Sequence, residues 1–265
     1  MHESPHTVTQ KAPALFIGHG SPMNAIEDTP SSRGLRDIAA RFAKPRAIVC
    51  ISAHWVTEGV RVTSNERPRT IHDFGGFPPE LFAVQYPAPG DPALAHDLAG
   101  RLSAFVATLD DRWGLDHGAW SILTHMYPQA DIPVLQLSLD ARRPPQQHYA
   151  IGKAIAPLRD EGVLIVGSGN IVHNLRAFFH RRAEDSTAQN GIFDDDIAAA
   201  AVSRDHDFIL SYRAHPLAPN AAPDWDHFYP LFYVLGASAS GEVAHVFNRA
   251  LCPGLSMTSI AFGLT

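Results

Sequence analysis

The chain has 265 residues, of which 45% are hydrophobic and 18% charged, and its formal net charge is −6. This composition is typical of a globular protein with a full apolar core, and it excludes a disordered chain. The acidic balance and the lack of basic runs argue against a nucleic-acid partner, and we find no apolar stretch long enough to span a membrane. The 15 histidines exceed ordinary usage, so we ask which of them bind a metal or take part in catalysis.

Short apolar runs that end in Gly, Ser or His alternate with helical patterns along the chain. The runs predict strands at 14–17, 47–53, 60–64, 134–139, 163–167 and 256–262. The patterns between them predict helices at 32–42, 93–105, 120–126, 149–158, 171–179, 195–211 and 228–235. This alternation predicts an α/β fold with a central, mainly parallel or mixed β-sheet flanked by helices.

We expect one catalytic domain over residues 1–265, with a flexible N-terminal segment at 1–12. Two stretches, 65–92 and 183–193, are predicted to be irregular, and the first is aromatic enough to be an ordered loop over a site. Cys50 and Cys252 are too few and too far apart for a disulfide framework. Together with a polar N-terminus that has no signal-peptide pattern, they favour a cytoplasmic protein.

Several histidines follow predicted strands. His19 follows the first strand, His54 the second, and His173 comes shortly after the strand at 163–167. Ligands of open α/β sheets bind beyond the carboxyl ends of the strands, and neutral imidazoles are good metal ligands. With His227 at the start of a predicted helix, these histidines predict a metal site. The alternative for each one is a hydrogen-bonded loop or helix-start residue.

Further candidates lie near these histidines. His117 also starts a predicted helix, where the positive helix end disfavours a charged imidazole. We take His72, Trp55 and Phe74 as candidate substrate contacts, although Trp55 equally fits simple core packing. Four carboxylates neighbour candidate histidines and either orient them or serve in salt bridges and helix caps: Asp73, Asp116, Asp224 and Asp226.

Several segments together carry a family resemblance over most of the chain. They are FIGHGSPMNAIED, ISAHW, RTIHDFGGFPPELFAVQYPAPGDP, WGLDHGAWSILTHMYPQADIPVLQLSLD, GVLIVGSGNIVHNLRA and DHFYPLFYVLGA. On these segments the chain resembles the class III extradiol ring-cleavage dioxygenases, and within them the 4,5-DOPA extradiol dioxygenase family. The resemblance implies a single α/β domain, in agreement with the strand and helix pattern.

The resemblance also implies roles for the histidines. By motif, His19, His54 and His227 correspond to metal ligands, and His173 to a fourth ligand or an acid–base residue close to the metal. His117 corresponds to a catalytic histidine near substrate and oxygen. We therefore expect His19, His54, His173 and His227 to bind metal, and His173 and His117 to be catalytic. The expected metal is Fe(II) for catalysis, with Zn(II) as the ion that family members often hold.

The implied reaction is cleavage of a catechol ring beside its two hydroxyls, with both atoms of O2 incorporated. The expected partners are a DOPA-like catechol and O2, without nucleic acid or membrane, and the protein is expected to be a monomer or a small homo-oligomer. Two alternatives stay open at this point: a zinc-dependent hydrolase, and a non-enzymatic metal-binding protein on the same fold.

Overall fold

A six-stranded sheet forms the centre of the computed structural model, which describes residues 10–180 and 184–264. Its strands are β1 (Ala14–Gly18), β2 (Ala47–Ser52), β3 (Val134–Gln136), β4 (Val163–Gly169), β5 (Ala244–Phe247) and β6 (Ser259–Phe262). The strand order is β3-β2-β4-β1-β6-β5. Strands β1 to β4 are parallel, and β6 runs antiparallel to both of its neighbours, β1 and β5. The predicted single α/β domain with a mixed sheet is confirmed.

Helices cover both faces of this sheet. They are α1 (Pro30–Ala39), α2 (Pro79–Phe82), α3 (Pro92–Arg101), α4 (His117–Met126), α5 (Pro145–Ile155), α6 (Leu175–His180), α7 (Glu184–Ser203), α8 (His206–Leu210), α9 (Ala218–Ala221) and α10 (Pro230–Ala237). Short 3-10 helices lie at Pro22–Ala25, Ser103–Phe105, Ala156–Glu161 and Tyr212–Ala214. Across the described ranges, no helix is both long and apolar enough to cross a membrane.

Short strands pair outside the central sheet. Val56–Thr57 pairs with Leu139–Asp140, and Arg61–Thr63 pairs with Thr108–Asp110, both in parallel. Leu251–Cys252 and Leu255–Ser256 form an antiparallel hairpin. Leu255 in this hairpin also forms an isolated antiparallel bridge with His173.

Alternate residues of β1 face opposite layers of the molecule. Leu15 and Ile17 belong to one apolar cluster with residues of α1 and α4, whereas Ala14 and Phe16 belong to a second cluster with residues of α5 and α10. A strand covered on both faces carries apolar side chains at every position. This explains why the first strands appear in the sequence as continuous hydrophobic runs.

The C-terminal half departs from the predicted elements. The stretch 183–193 was expected to be irregular, but α7 begins at Glu184 and continues to Ser203, so only Ala183 lies outside the described residues. The edge strand β5 was not predicted at all. Of the expected flexible segment 1–12, residues 1–9 lie outside the described residues.

A buried ion pair ties the strand ends together at the edge remote from the histidines. The Arg159 side chain is fully buried and makes two hydrogen bonds to Glu242, at 2.7 and 2.8 Å. It also donates to the carbonyl oxygens of Ala12 and Ala237. Partial burial raises the pKa of Glu242, but the bonds from Arg159 outweigh it and the net shift is downward. The glutamate is therefore ionised at neutral pH.

Glu242→Ala should destabilise the protein by about 3–5 kcal/mol, because it leaves a buried guanidinium without its counter-charge. Urea unfolding at pH 7 measures the change. Glu161→Ala is the matched control, since Glu161 pairs with arginines at the surface and its loss should cost less than about 1 kcal/mol. Equal, small losses in both variants would show that Arg159 does not depend on Glu242.

Candidate active site

The carboxyl end of β4 forms the floor of the site. This strand lies between β2 and β1 in the sheet and ends in Gly167-Ser168-Gly169. The backbone N–H of His19, just past β1, donates to the carbonyl of Gly169 at 3.0 Å. The N–H of Ala53, just past β2, donates to the carbonyl of Ser168, also at 3.0 Å. Both flanking chains are thus tied to the end of β4.

His227 reaches the same point from the turn that precedes α10. Its carbonyl accepts a hydrogen bond from the N–H of Asn170 at 2.9 Å. A Cβ atom at Gly169 would lie 2.1 Å from this carbonyl oxygen, so any larger residue would push His227 away. A Cβ at Gly167 would similarly meet the Pro230 carbonyl. The glycines of β4 therefore allow the close approach that brings His227 over the sheet.

Three imidazoles converge above this floor. Nε2 of His19 lies 3.1 Å from Nε2 of His54, and a ring nitrogen of His227 lies within 4.8 Å of both histidines' ligand atoms. Burial, followed by the neighbouring histidines, lowers the pKa of both His19 and His54 well below the usual value. The rings are therefore uncharged at neutral pH, which is the state that binds a metal ion.

The tautomer of His19 follows from its hydrogen bonds. The Ser168 hydroxyl donates its single hydrogen to the carbonyl of Gly118 at 2.5 Å. It can therefore only accept from Nδ1 of His19, which lies 3.0 Å away. The proton of His19 is thus on Nδ1, and the lone pair is on Nε2, which faces His54. A donor set of imidazole nitrogens fits a ferrous or zinc ion.

Carboxylates stand behind the other two rings. Nδ1 of His227 lies 3.2 Å from Asp226, although its geometry falls outside that of a hydrogen bond. Nδ1 of His54 lies 3.5 Å from Asp73. Asp226 was a candidate helix cap, but Tyr229 occupies the cap position of α10, so the carboxylate faces His227 instead. Carboxylates in this position orient metal-binding imidazoles.

His117 is the first residue of α4 and contacts Asp73 twice. Its backbone N–H donates to Asp73 at 2.9 Å, and its Nδ1 lies 3.0 Å from the other carboxylate oxygen. Partial burial raises the pKa of Asp73, but the contact with His117 more than offsets it and holds the pKa below the usual range. The ring centroid of His117 lies 3.9 Å from that of His54. Asp73 is therefore an ionised partner for two histidines.

Asp116 fixes the start of α4. Its carboxylate accepts from the Ser52 hydroxyl and from the Gln136 amide, both at 2.7 Å, and caps the helix by accepting from Ala119 N–H. Burial, and then the charge of Asp73, raise the pKa of Asp116. Because Ser52 ends β2, this network locks the helix that carries His117 to the strand that leads to His54.

His173 occupies a different position from the other expected ligands. Its ring stacks face to face on His227, with centroids 3.4 Å apart and planes 3° from parallel. It is not part of the cluster formed by His19, His54 and His227. Burial, and then the charge of His227, lower the pKa of His173 to about 3, so this ring is also neutral.

A cavity of about 240 Å³ opens above the histidines. The rings of His19, His54, His117, His173 and His227 line its inner end. Such a volume is below the range of about 300–1,000 Å³ typical of drug-sized ligands, so the cavity suits a small ring.

The three expected substrate contacts lie in different places. Phe74 lines the cavity, with its ring edge-on to His117. His72 is not among the lining residues and bonds instead to the Val84 carbonyl at 3.0 Å. Trp55 is buried and stacks parallel to Trp113 outside the cavity lining.

A family model described as the catalytic LigB subunit of aromatic ring-opening dioxygenase matches residues 13–262. A 4,5-DOPA dioxygenase extradiol of Escherichia coli K12 is 42% identical, with 96% of this chain and 95% of the relative covered. A protein of the same name from Beta vulgaris is 39% identical, with 91% and 92% covered.

A solved structure is similar as well. It is a crystal structure of an uncharacterized protein from Escherichia coli K12, which is 38% identical to this chain and superposes with a TM-score of 0.78. The match covers 95% of this chain and all of the other one. The mixed sheet and its helices are thus shared with an experimentally observed fold.

Ser168→Ala should weaken metal binding by about 10- to 100-fold, because it frees the His19 ring from its fixed tautomer and orientation. Competition with a chromophoric chelator measures the affinity. The matched control is Ser121→Ala in α4, whose hydroxyl is equally buried but has no hydrogen-bond partner among the described residues. An unchanged affinity in Ser168→Ala would show that this hydroxyl does not orient the ligand.

Proposed function

This chain belongs to the family of catalytic LigB subunits of aromatic ring-opening dioxygenases and is an extradiol ring-cleavage dioxygenase, and from that premise we propose that it opens a catechol ring at the histidine cluster. The observation that carries the proposal is the meeting of three imidazoles, those of His19, His54 and His227, beneath a cavity of ring size. Its substrates are a small molecule and O2.

We propose His19, His54 and His227 as the ligands of a ferrous ion. When bound, this ion supplies the one-electron chemistry that dioxygen needs to react with an aromatic ring. Zn(II) fits the same nitrogen donors but has no redox chemistry, so it would occupy the site without supporting cleavage.

The orientation of His173 argues against a fourth ligand. An imidazole lone pair lies in the plane of its ring. The ring of His173 is stacked parallel to that of His227, with centroids 3.4 Å apart, so the lone pairs of the two rings would not converge on one ion. A set of three protein ligands leaves the metal open to substrate, as catalysis requires.

His117 is the proposed acid–base residue. Its ring lines the cavity, and the ionised Asp73 lies 3.0 Å from its Nδ1. A proton taken from a catechol hydroxyl would charge this ring, and the carboxylate would stabilise that charge. The backbone N–H of His117 donates to the same carboxylate, which holds the first residue of α4 beside Asp73. His173, also in the lining, is placed to pack on His227 and to hold its plane.

The direct test is anaerobic loading with Fe(II), followed by catechol and O2. Ring opening beside the hydroxyls converts catechol and one O2 into a hydroxymuconic semialdehyde, which contains both oxygen atoms and is yellow. We expect equimolar O2 uptake and product with Fe(II), and neither with Zn(II). If no catechol consumes O2 in the Fe(II) protein while esters or amides are hydrolysed by the Zn(II) protein, the proposed reaction is wrong.

Histidine variants separate metal binding from proton transfer. His19→Ala should lose the metal on dialysis because it removes one of three ligands. His117→Gln should keep the metal and lose about 10²- to 10⁴-fold in turnover, since only the proton acceptor is removed. Metal content and kcat together provide the measurement. Asp73, His54 and His117 also lie close enough to bind an ion, so metal loss in His117→Gln would assign the ion to that set instead.

A further inference from the structure

The outer half of the cavity is apolar and only partly covered. Both the helix α6 and the loop that carries Phe74 contribute to its lining. The side chains around this opening, called here the apolar mouth, are Pro22, Phe77, Leu175, Phe178, Phe179 and Leu255. Histidines line the inner end of the same cavity, so the two ends differ sharply in polarity.

One face of α6 supplies half of the apolar mouth. Leu175, Phe178 and Phe179 are spaced i, i+3 and i+4, which places them on the same side of the helix. Leu175 is 48% exposed and Phe179 is 71% exposed. Large apolar side chains left open to water beside a pocket mark a surface that contacts a ligand.

The position of α6 is fixed by the neighbouring hairpin. The N–H of Asn174 donates to the carbonyl of Gly254 at 2.7 Å, and its side chain accepts from Ala177 N–H. Gly254 has a φ of +77°, and a Cβ there would lie 2.2 Å from the carbonyl of Asn174. The start of α6 is therefore held at a set distance from the histidines, and the apolar mouth is a built part of the site.

We propose that the substrate is a catechol with an uncharged, apolar substituent, such as an alkyl chain, which lies against the apolar mouth. The inference rests on the proposed function, since it needs the catechol hydroxyls at the histidine end. With the hydroxyls there, a substituent on the far side of the ring extends toward Phe178 and Phe179. A charged carboxylate or ammonium group, as in DOPA, would lose water against these aromatic rings.

The test is a series of 4-alkylcatechols from methyl to butyl, compared with DOPA on the Fe(II)-loaded enzyme. Each added methylene should raise kcat/KM by about two- to fourfold, because each buries further apolar surface against the mouth. DOPA should be used less well than 4-propylcatechol, which has the same carbon chain without charges. A flat alkyl series, or a preference for DOPA, would overturn the inference.

The second measurement tests whether a positive charge at the apolar mouth changes which ring substituent the enzyme prefers. Phe179→Arg should lower kcat/KM for 4-butylcatechol by about tenfold and raise it for 3,4-dihydroxyphenylpropionate, whose carboxylate it can meet. Phe179 is exposed enough for the variant to fold. Val202→Arg on α7 is the matched control: it places the same side chain on an exposed helix position outside the cavity lining, and it should change neither value.

The outcomes separate this inference from the proposed function. If no catechol in the panel is cleaved, the proposed reaction fails. If catechols are cleaved but their substituents do not matter, or if Phe179→Arg shifts no preference, the reaction stands and the role of the apolar mouth is wrong.

Discussion

The carboxyl end of β4 is the constraint on which the site depends. His19 and His54 follow strands on opposite sides of β4, about 9–10 Å apart at the usual strand spacing, yet their Nε2 atoms lie 3.1 Å from each other. They can meet only by leaning over the end of the strand between them. A large side chain there would hold them apart, and β4 ends in Gly-Ser-Gly. Neighbouring residues of this short stretch position different histidines. Gly169 leaves room for the His227 carbonyl, and the Ser168 hydroxyl accepts a hydrogen bond from the His19 ring.

The burial of several imidazoles together has an electrostatic consequence. Burial, and then the neighbouring histidines, lower the pKa of His19 and His54, which keeps these two rings uncharged. Carboxylates then stand outside the cluster, at Asp73 and Asp226, where they touch the far nitrogens of the rings. This arrangement leaves nitrogen donors inside and negative charge outside. A dication held by His19, His54 and His227 would be attracted by the outer carboxylates without being directly bound by them, so it would retain its ability to polarise a substrate.

The sequence predicted the features that depend on strand ends. The fold class and the family are confirmed, because continuous apolar runs followed by small residues and histidines are visible without a structure.

The contact of Asp73 with His117 could not be predicted, because Asp73 lies on a long loop, 44 positions away in sequence. The stack of His173 on His227 could not be predicted, because ring orientation depends on the hairpin at Leu255, whose bridge to His173 is a long-range contact. The edge strand β5 was missed for a related reason: half-exposed strands show no continuous apolar run.

The floor of the site and the apolar mouth of the cavity differ in how well they tolerate amino-acid substitutions. The floor involves backbone hydrogen bonds between strands, close glycine contacts and a buried carboxylate network, so almost any substitution there would displace a histidine. Half of the apolar mouth consists of side chains on α6, of which Leu175 and Phe179 are exposed, and the hairpin holds this six-residue helix by its backbone. Those side chains can vary without moving α6. It follows that relatives can share the ring-opening reaction and still differ in which ring substituent they accept. Similarity over the whole chain is therefore stronger evidence for a shared reaction than for a shared substrate.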